Sequence, residues 1–237
     1  MITLKKWVVN PYQECTYIFS DETREAVIVD CGVYYPFERE QFMEYIEKEN
    51  LRPVHLLLTH VHHDHVYGND LIHEHFGLLP EVHEADKLLM TEQLKECIDD
   101  IYYEYPYPLP MPEHYLRDGE VVRFGNHELK VIHTPGHTPG SVFFYCEKAG
   151  IAFSGDTLFY IGIGRSDMPG GNKEELYASL KSITDMLPDN TVIYPGHDRE
   201  TTIGYEKDNN PYLVHKYDAR MPMGTCTPIA EALTDET

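Results

Sequence analysis

Basic residues are scarce: 19 Lys and Arg stand against 40 Asp and Glu in 237 residues, a formal charge of -21. A phosphate backbone meeting that field is repelled unless a local patch overrides it, so nucleic acid is excluded as an expected partner. Long apolar runs are missing too. No stretch approaches the ~20 residues that cross a bilayer, and MITLKKWVVNPYQE at the start holds no apolar segment long enough for a secretion signal. The expectation is a cytoplasmic chain with no membrane partner. Cysteine is sparse and scattered: Cys15, Cys31, Cys97, Cys146 and Cys226 show no C-x-x-C spacing. An odd count without that spacing speaks against a disulfide framework or a thiolate metal site, and fits reduced, packed thiols.

What the chain does have is histidine concentrated in one place. Residues 59–68 read THVHHDHVYG, directly after the apolar run VHLLL. Clustered imidazoles repel one another when protonated and need hydrogen-bond partners when buried and neutral. A metal ion resolves both problems. His60, His62, Asp64 and His65 form H-x-H-x-D-H at the mouth of a predicted strand, where open α/β sheets place their ligands.

The rest of the chain alternates strands and helices. Strands are predicted around LKKWVV, CTYIF, AVIVDCG, VHLLLT and EVHE, with helices over FEREQFMEYIEKEN, NDLIHEHF up to Gly77, and ADKLLMTEQLKECIDD. In the first helix Phe37, Phe42, Tyr45 and Ile46 are expected near one face. The segment YYEYPYPLPMPEHY (102–115) is too rich in Pro and Tyr to be helical and reads as a loop. EVVRF, HELKVIHT, SVFFYCE and GIAFSGD then read as strands, KEELYASLKSITDML as a helix and TVIYP as a strand. Layer rules applied to this order predict an α+β fold of two packed mixed sheets with helices on the outer faces. One domain is expected over residues 1–215, with 216–237 as a frayed or docked tail.

Four clustered ligands cannot complete two metal sites, and three later strand ends supply complements: His137 in HTPGHTPGS, Asp156 in FSGDTLF and His197 in IYPGHD. A side chain leaving the end of a buried strand has little entropy left to lose on binding. His60, His62 and His137 make one nitrogen-rich group, Asp64, His65 and His197 a second, and Asp156 can bridge them. For N and O donors zinc is the expected ion, with iron or manganese as alternatives. His63 is read as a neighbour of the site or a solvent residue, His133 as packed or hydrogen-bonded. The remaining histidines are read as structural.

HVHHDH, GHTPGS, SGDTLF and PGHD, in this order, resemble the metallo-β-lactamase fold superfamily over roughly residues 1–215. The resemblance implies an αβ/βα sandwich with a binuclear site at one edge, held by His60, His62, Asp64, His65, His137, Asp156 and His197. Within the superfamily, GDTLFYIGIGRSDMPGG and GHDRETTIGYEKDNNPY are similar to glyoxalase II (hydroxyacylglutathione hydrolase) and its compact bacterial relatives. That likeness implies a small-molecule thioester or ester substrate, attacked by a hydroxide between two divalent ions that Asp64 orients. Two departures stand out. The chain after His197 is too short for the helical domain of the longer enzymes, and GIGRSD replaces their GCG segment with its following lysine. Arg165 could grip a substrate carboxylate, although Asp167 would oppose it.

The rival readings are a one-iron persulfide dioxygenase, which shares the wording around Arg165, a lactone or ester hydrolase on the same fold, and a non-enzymatic metal-binding module. A secreted β-lactamase is disfavoured because Asp156 stands where those enzymes carry a cysteine. No pattern in the sequence assigns an oligomeric state.

Overall fold

The structure, a computed structural model, describes residues 2–96 and 110–214. Six strands form the first sheet in chain order: β1 (Thr3–Val9), β2 (Glu14–Ser20), β3 (Glu25–Val29), β4 (Arg52–Leu57), β5 (Pro80–His83) and β6 (Tyr115–Leu116). The first three pair antiparallel and the last three join in parallel. The second sheet contains β7 (Val121–Phe124), β8 (His127–His133), β9 (Val142–Cys146), β10 (Ile151–Gly155), β13 (Val192–Pro195) and β14 (Thr201–Thr202). It runs antiparallel except for the β10–β13 pair. A small hairpin, β11 (Leu158–Phe159) and β12 (Gly162–Ile163), leaves the end of β10.

Side-chain alternation along each strand builds the layers. On β2, Tyr17 and Phe19 face the second sheet; on β3, Val27 and Val29 do the same. They meet Phe124, Leu129, Val131, Phe144 and Phe153 in the central core. The intervening Ile18, Ala26 and Ile28 point outward against α1 (Pro36–Lys48) and α2 (Asn69–Phe76), through Phe42, Ile46, Leu71 and Ile72. On the far side Phe143, Ala152 and Ile193 pack against Leu176, Leu180 and Ile183 of α4 (Lys173–Met186). Strands buried on both faces read as continuous apolar runs, which is why AVIVD, HLLL and VFFY were recognisable. The predicted four-layer sandwich is the observed one.

Phe19 is fully buried, its ring 5.2 Å from that of Phe124 and 5.7 Å from that of Phe153. Phe19→Ala should therefore cost about 3–5 kcal/mol in a chemical denaturation experiment. A loss under about 1 kcal/mol would mean the two sheets do not meet at this ring.

Several elements differ from expectation. Phe37 is 57% exposed and stacks on Tyr35, because the first turn of α1 overhangs the sheet that Phe42 and Ile46 reach. Tyr115 begins β6 instead of closing the loop, while residues 97–109, with Cys97 and most of the Tyr- and Pro-rich segment, lie outside the described residues. The same holds for the tail from 215 onward, including Cys226. Cys15, Cys31 and Cys146 are free and buried. Three helices complete the chain: α3 (Lys87–Glu96), α5 (Ile203–Asn209) and α6 (Pro211–Val214). Among the described residues no helix is long and apolar enough to cross a membrane.

Candidate metal centre

Strand ends converge at one edge of the sandwich. After β4 the chain passes Thr59 and His60, then makes a single 3-10 turn at His63–His65, which carries His62, Asp64 and His65 around one point. His137 arrives from the turn after β8, Asp156 from the end of β10 and His197 from the end of β13. Among the described residues four mutually close groups result: His60, His62 and His137; His60, His65 and Asp156; Asp64, His65 and His197; and Glu14, Asp30 and His65. Asp156 touches both sides. Its Oδ2 lies 3.6 Å from His137 Nε2 and 3.5 Å from His197 Nε2, while Oδ1 lies 3.5 Å from His65 Nε2. Asp64 Oδ2 is 3.2 Å from His197 Nε2.

The donor set fits divalent cations. His60 Nε2, His65 Nε2 and Asp156 Oδ1 are buried without a hydrogen-bond partner, a costly arrangement unless something else satisfies them. Glycine keeps the space open. A Cβ on Gly196 would lie 2.2 Å from Asp156 Oδ1 and 2.7 Å from the His65 ring, and one on Gly164 would lie 1.8 Å from the Asp156 carbonyl oxygen.

Electrostatics divide the imidazoles into two sets. Burial, reinforced by neighbouring imidazoles, holds His60 well below its ordinary pKa and His62 down at about 3, and burial lowers His137 as well. These three offer neutral lone pairs. Burial also opposes charge on His65, but Asp64, Asp156 and Asp30 outweigh it and push the ring up to about 10. Asp156 and Asp64 raise His197 in the same way. Both carboxyls are held low despite burial, Asp64 by His65 and His197, Asp156 by His197 and His65. A cation here would replace protons on His65 and His197, so its affinity weakens as pH falls.

Two acids were not singled out by sequence. Asp30, at the end of β3, accepts from Thr59 N and Thr59 Oγ1, both at 2.7 Å, and contacts His65 Nδ1 at 3.0 Å. Glu14, fully buried on β2, has Oε1 3.9 Å from the same nitrogen and accepts from Thr16 Oγ1 at 2.7 Å. The only sequence signal was an acid ending an apolar run, which also describes an ordinary strand end.

The other histidines fall outside these groups. His63 is half-buried, His133 Nε2 bonds the Pro139 carbonyl at 2.8 Å and its ring stacks on His83, and His55 pairs with Glu81. Arg165 closes its fork on Asp167, with Nε to Oδ1 at 2.9 Å and Nη2 to Oδ2 at 3.2 Å. Its backbone carbonyl accepts from His137 Nδ1 at 2.7 Å, so Arg165 orients a site histidine through its main chain.

A sandwich that gathers imidazoles and carboxylates at its strand ends is built as a metal-dependent hydrolase. Residues 11–197 match the Metallo-beta-lactamase superfamily, and the chain belongs to it. Among its relatives, hydroxyacylglutathione hydrolase GloC of Haemophilus influenzae is 37% identical over 211 residues, spanning 86% of this chain and 94% of that protein. Two solved structures superpose closely. BLEG-1, described as a B3 metallo-beta-lactamase, is 33% identical with a TM-score of 0.77, covering 89% of this chain and 99% of that one. TTHA1623, solved in a di-iron-bound form, is 32% identical with a TM-score of 0.76, covering 88% and 100%.

Proposed function

We propose that the chain is a two-metal thioesterase acting on S-2-hydroxyacylglutathione-like substrates. The carrying observation is Asp156: one carboxylate within 3.6 Å of imidazoles from both ligand groups is the arrangement a bridge between two ions requires. In this reading His60, His62 and His137 would hold one ion and Asp64, His65 and His197 the other, with Asp156 available to both. Zinc suits these N and O donors, and iron is the second choice, in keeping with the di-iron form of TTHA1623. Divalent ions supply Lewis acidity for a carbonyl oxygen and lower the pKa of water to about 7.

The chain's own residues do the rest. Neutral imidazoles at His60, His62 and His137 bind without first giving up a proton. Asp64 belongs to one ligand group only and keeps 16% of its side-chain surface exposed, against 11% for Asp156, so it can orient the attacking water. Water adds to the acyl carbon, the C–S bond breaks, and the thiol leaves with the proton that water gave up. The likeness to GloC supports a glutathione thioester as the first substrate to try.

The test is thiol release from S-D-lactoylglutathione by protein of measured metal content, with a metal-stripped control. About two ions per chain and metal-dependent turnover of about 1–1000 per second are expected. Two ions without thiol release would leave a lactone or another ester as the substrate. One iron per chain without thiol release would favour the dioxygenase reading and sink this one.

A further inference from the structure

Arg165 was the sequence's candidate for a substrate anion, but its fork is committed to Asp167. A second arginine stands on the loop that leaves His197. Arg199 follows His197 by two residues, at most about 7 Å along the chain, past Asp198 in a left-handed conformation (φ 69°). No carboxylate among the described residues forms an ion pair with it. Its guanidinium lies 3.5 Å over the Tyr160 ring, a stack that holds the group in one place while leaving its N–H edge free.

The platform under it is built in depth. Tyr160 stacks on Tyr205 with centroids 5.4 Å apart, and their hydroxyls meet at 3.0 Å. The turn that carries Tyr160 is fixed from below: Ile161 N donates to the fully buried Glu206 at 2.9 Å, and Asn210 donates to the Gly162 carbonyl at 3.0 Å. Phe159, the preceding residue, sets its ring 6.1 Å from that of His197, so the same hairpin lines the metal centre. Lys6 reaches the same loop. Its Nζ donates to the carbonyl of Asp198, the residue before Arg199, and so ties β1 to the loop that carries the arginine. Asp198 and Glu200 flank Arg199 and are exposed like it, and on a chain of charge -21 it is the ring stack that sets the guanidinium apart from them.

We propose that Arg199, carried on the Tyr160–Tyr205 stack, binds a carboxylate of the substrate's thiol part and selects anionic thiol carriers over neutral ones. This rests on the thioesterase reading for its kinetic test, and a binding measurement separates the two.

The experiment compares the metal-loaded protein and its Arg199→Ala and Arg199→Lys variants on two thioesters with the same acyl group, S-D-lactoylglutathione and uncharged S-D-lactoyl-N-acetylcysteamine. Loss of a charge-assisted contact should raise KM for the glutathione thioester about tenfold or more and lower the anionic-to-neutral ratio of kcat/KM by a similar factor. Arg199→Lys should recover part of that ratio. Equal losses on both substrates, or an unchanged ratio, would overturn the proposal. If the wild type cleaves neither thioester, calorimetric titration with S-methylglutathione decides: binding weakened about tenfold in Arg199→Ala supports the anion site although the thioesterase reading has failed, and equal or absent binding in both proteins overturns it.

Discussion

Asp156→Asn should lower metal-dependent turnover by more than about 100-fold and reduce bound metal from about two ions per chain to one or fewer. The size follows from its position. Replacing a partner that only touches a ligand from outside costs 10–100-fold in affinity or activity, and Asp156 lies nearer the chemistry than that. Its two oxygens are shared among His65, His137 and His197, and its charge favours the cationic form of His197 and His65. An amide keeps the shape but removes the negative charge, and presents N–H where a cation needs a lone pair. Gly196 and Gly164 bring the backbone so close to Asp156 that a Cβ at either would clash with it, so no larger side chain at these positions can stand in for the lost charge. Metal analysis alongside steady-state kinetics checks both halves. A variant with near wild-type turnover and two ions would remove Asp156 from the bridge and with it the two-metal reading.

The sequence made the site legible where chemistry and chain order coincide. His60, His62, Asp64 and His65 lie within six positions at one strand end, and a single 3-10 turn suffices to gather them. His137, Asp156 and His197 could be added because each ends an apolar run, and apolar runs buried on both faces are the strongest periodic signal a sandwich gives. What stayed hidden depends on distance across the fold. Glu14 enters the site because β2 abuts the end of β13, where Cys15 N donates to the Gly196 carbonyl at 2.7 Å. Nothing in ECTYIF announces that neighbour. The two-residue strands of β6, β11, β12 and β14 are too short to show any period. Arg199 likewise stands in the sequence as one charge between Asp198 and Glu200, and its meaning comes from Tyr160 and Tyr205 on other elements.

Asp30 offers the sharpest test of how the fold sets the chemistry of a ligand. His65 is fully buried, with Nδ1 facing Asp30 and Nε2 facing Asp64 and Asp156. A carboxylate can only accept, so Nδ1 must carry the proton toward Asp30 and Nε2 is left with a lone pair for a cation. Asp30→Asn reverses this. The Thr59 amide donates to Oδ1, so the asparagine oxygen is drawn there and its NH2 turns toward Nδ1. That nitrogen must then accept, which moves the ring proton to Nε2 and blocks the lone pair. Affinity at the group formed by Asp64, His65 and His197 should drop by about 10–100-fold, the range for partners that orient a metal-binding histidine. The group formed by His60, His62 and His137 should lose less, because it does not contain His65 and Asp30 reaches it only through Thr59 Oγ1, 3.1 Å from His60 Nδ1. Titration with cobalt, followed by its visible absorption, would resolve the two affinities. One weakened and one near-normal site is the expected pattern. Two unaltered sites would mean that His65 does not bind metal through Nε2, and uniform weakening would mean that Asp30 acts on the stability of the whole strand end instead of on one ring.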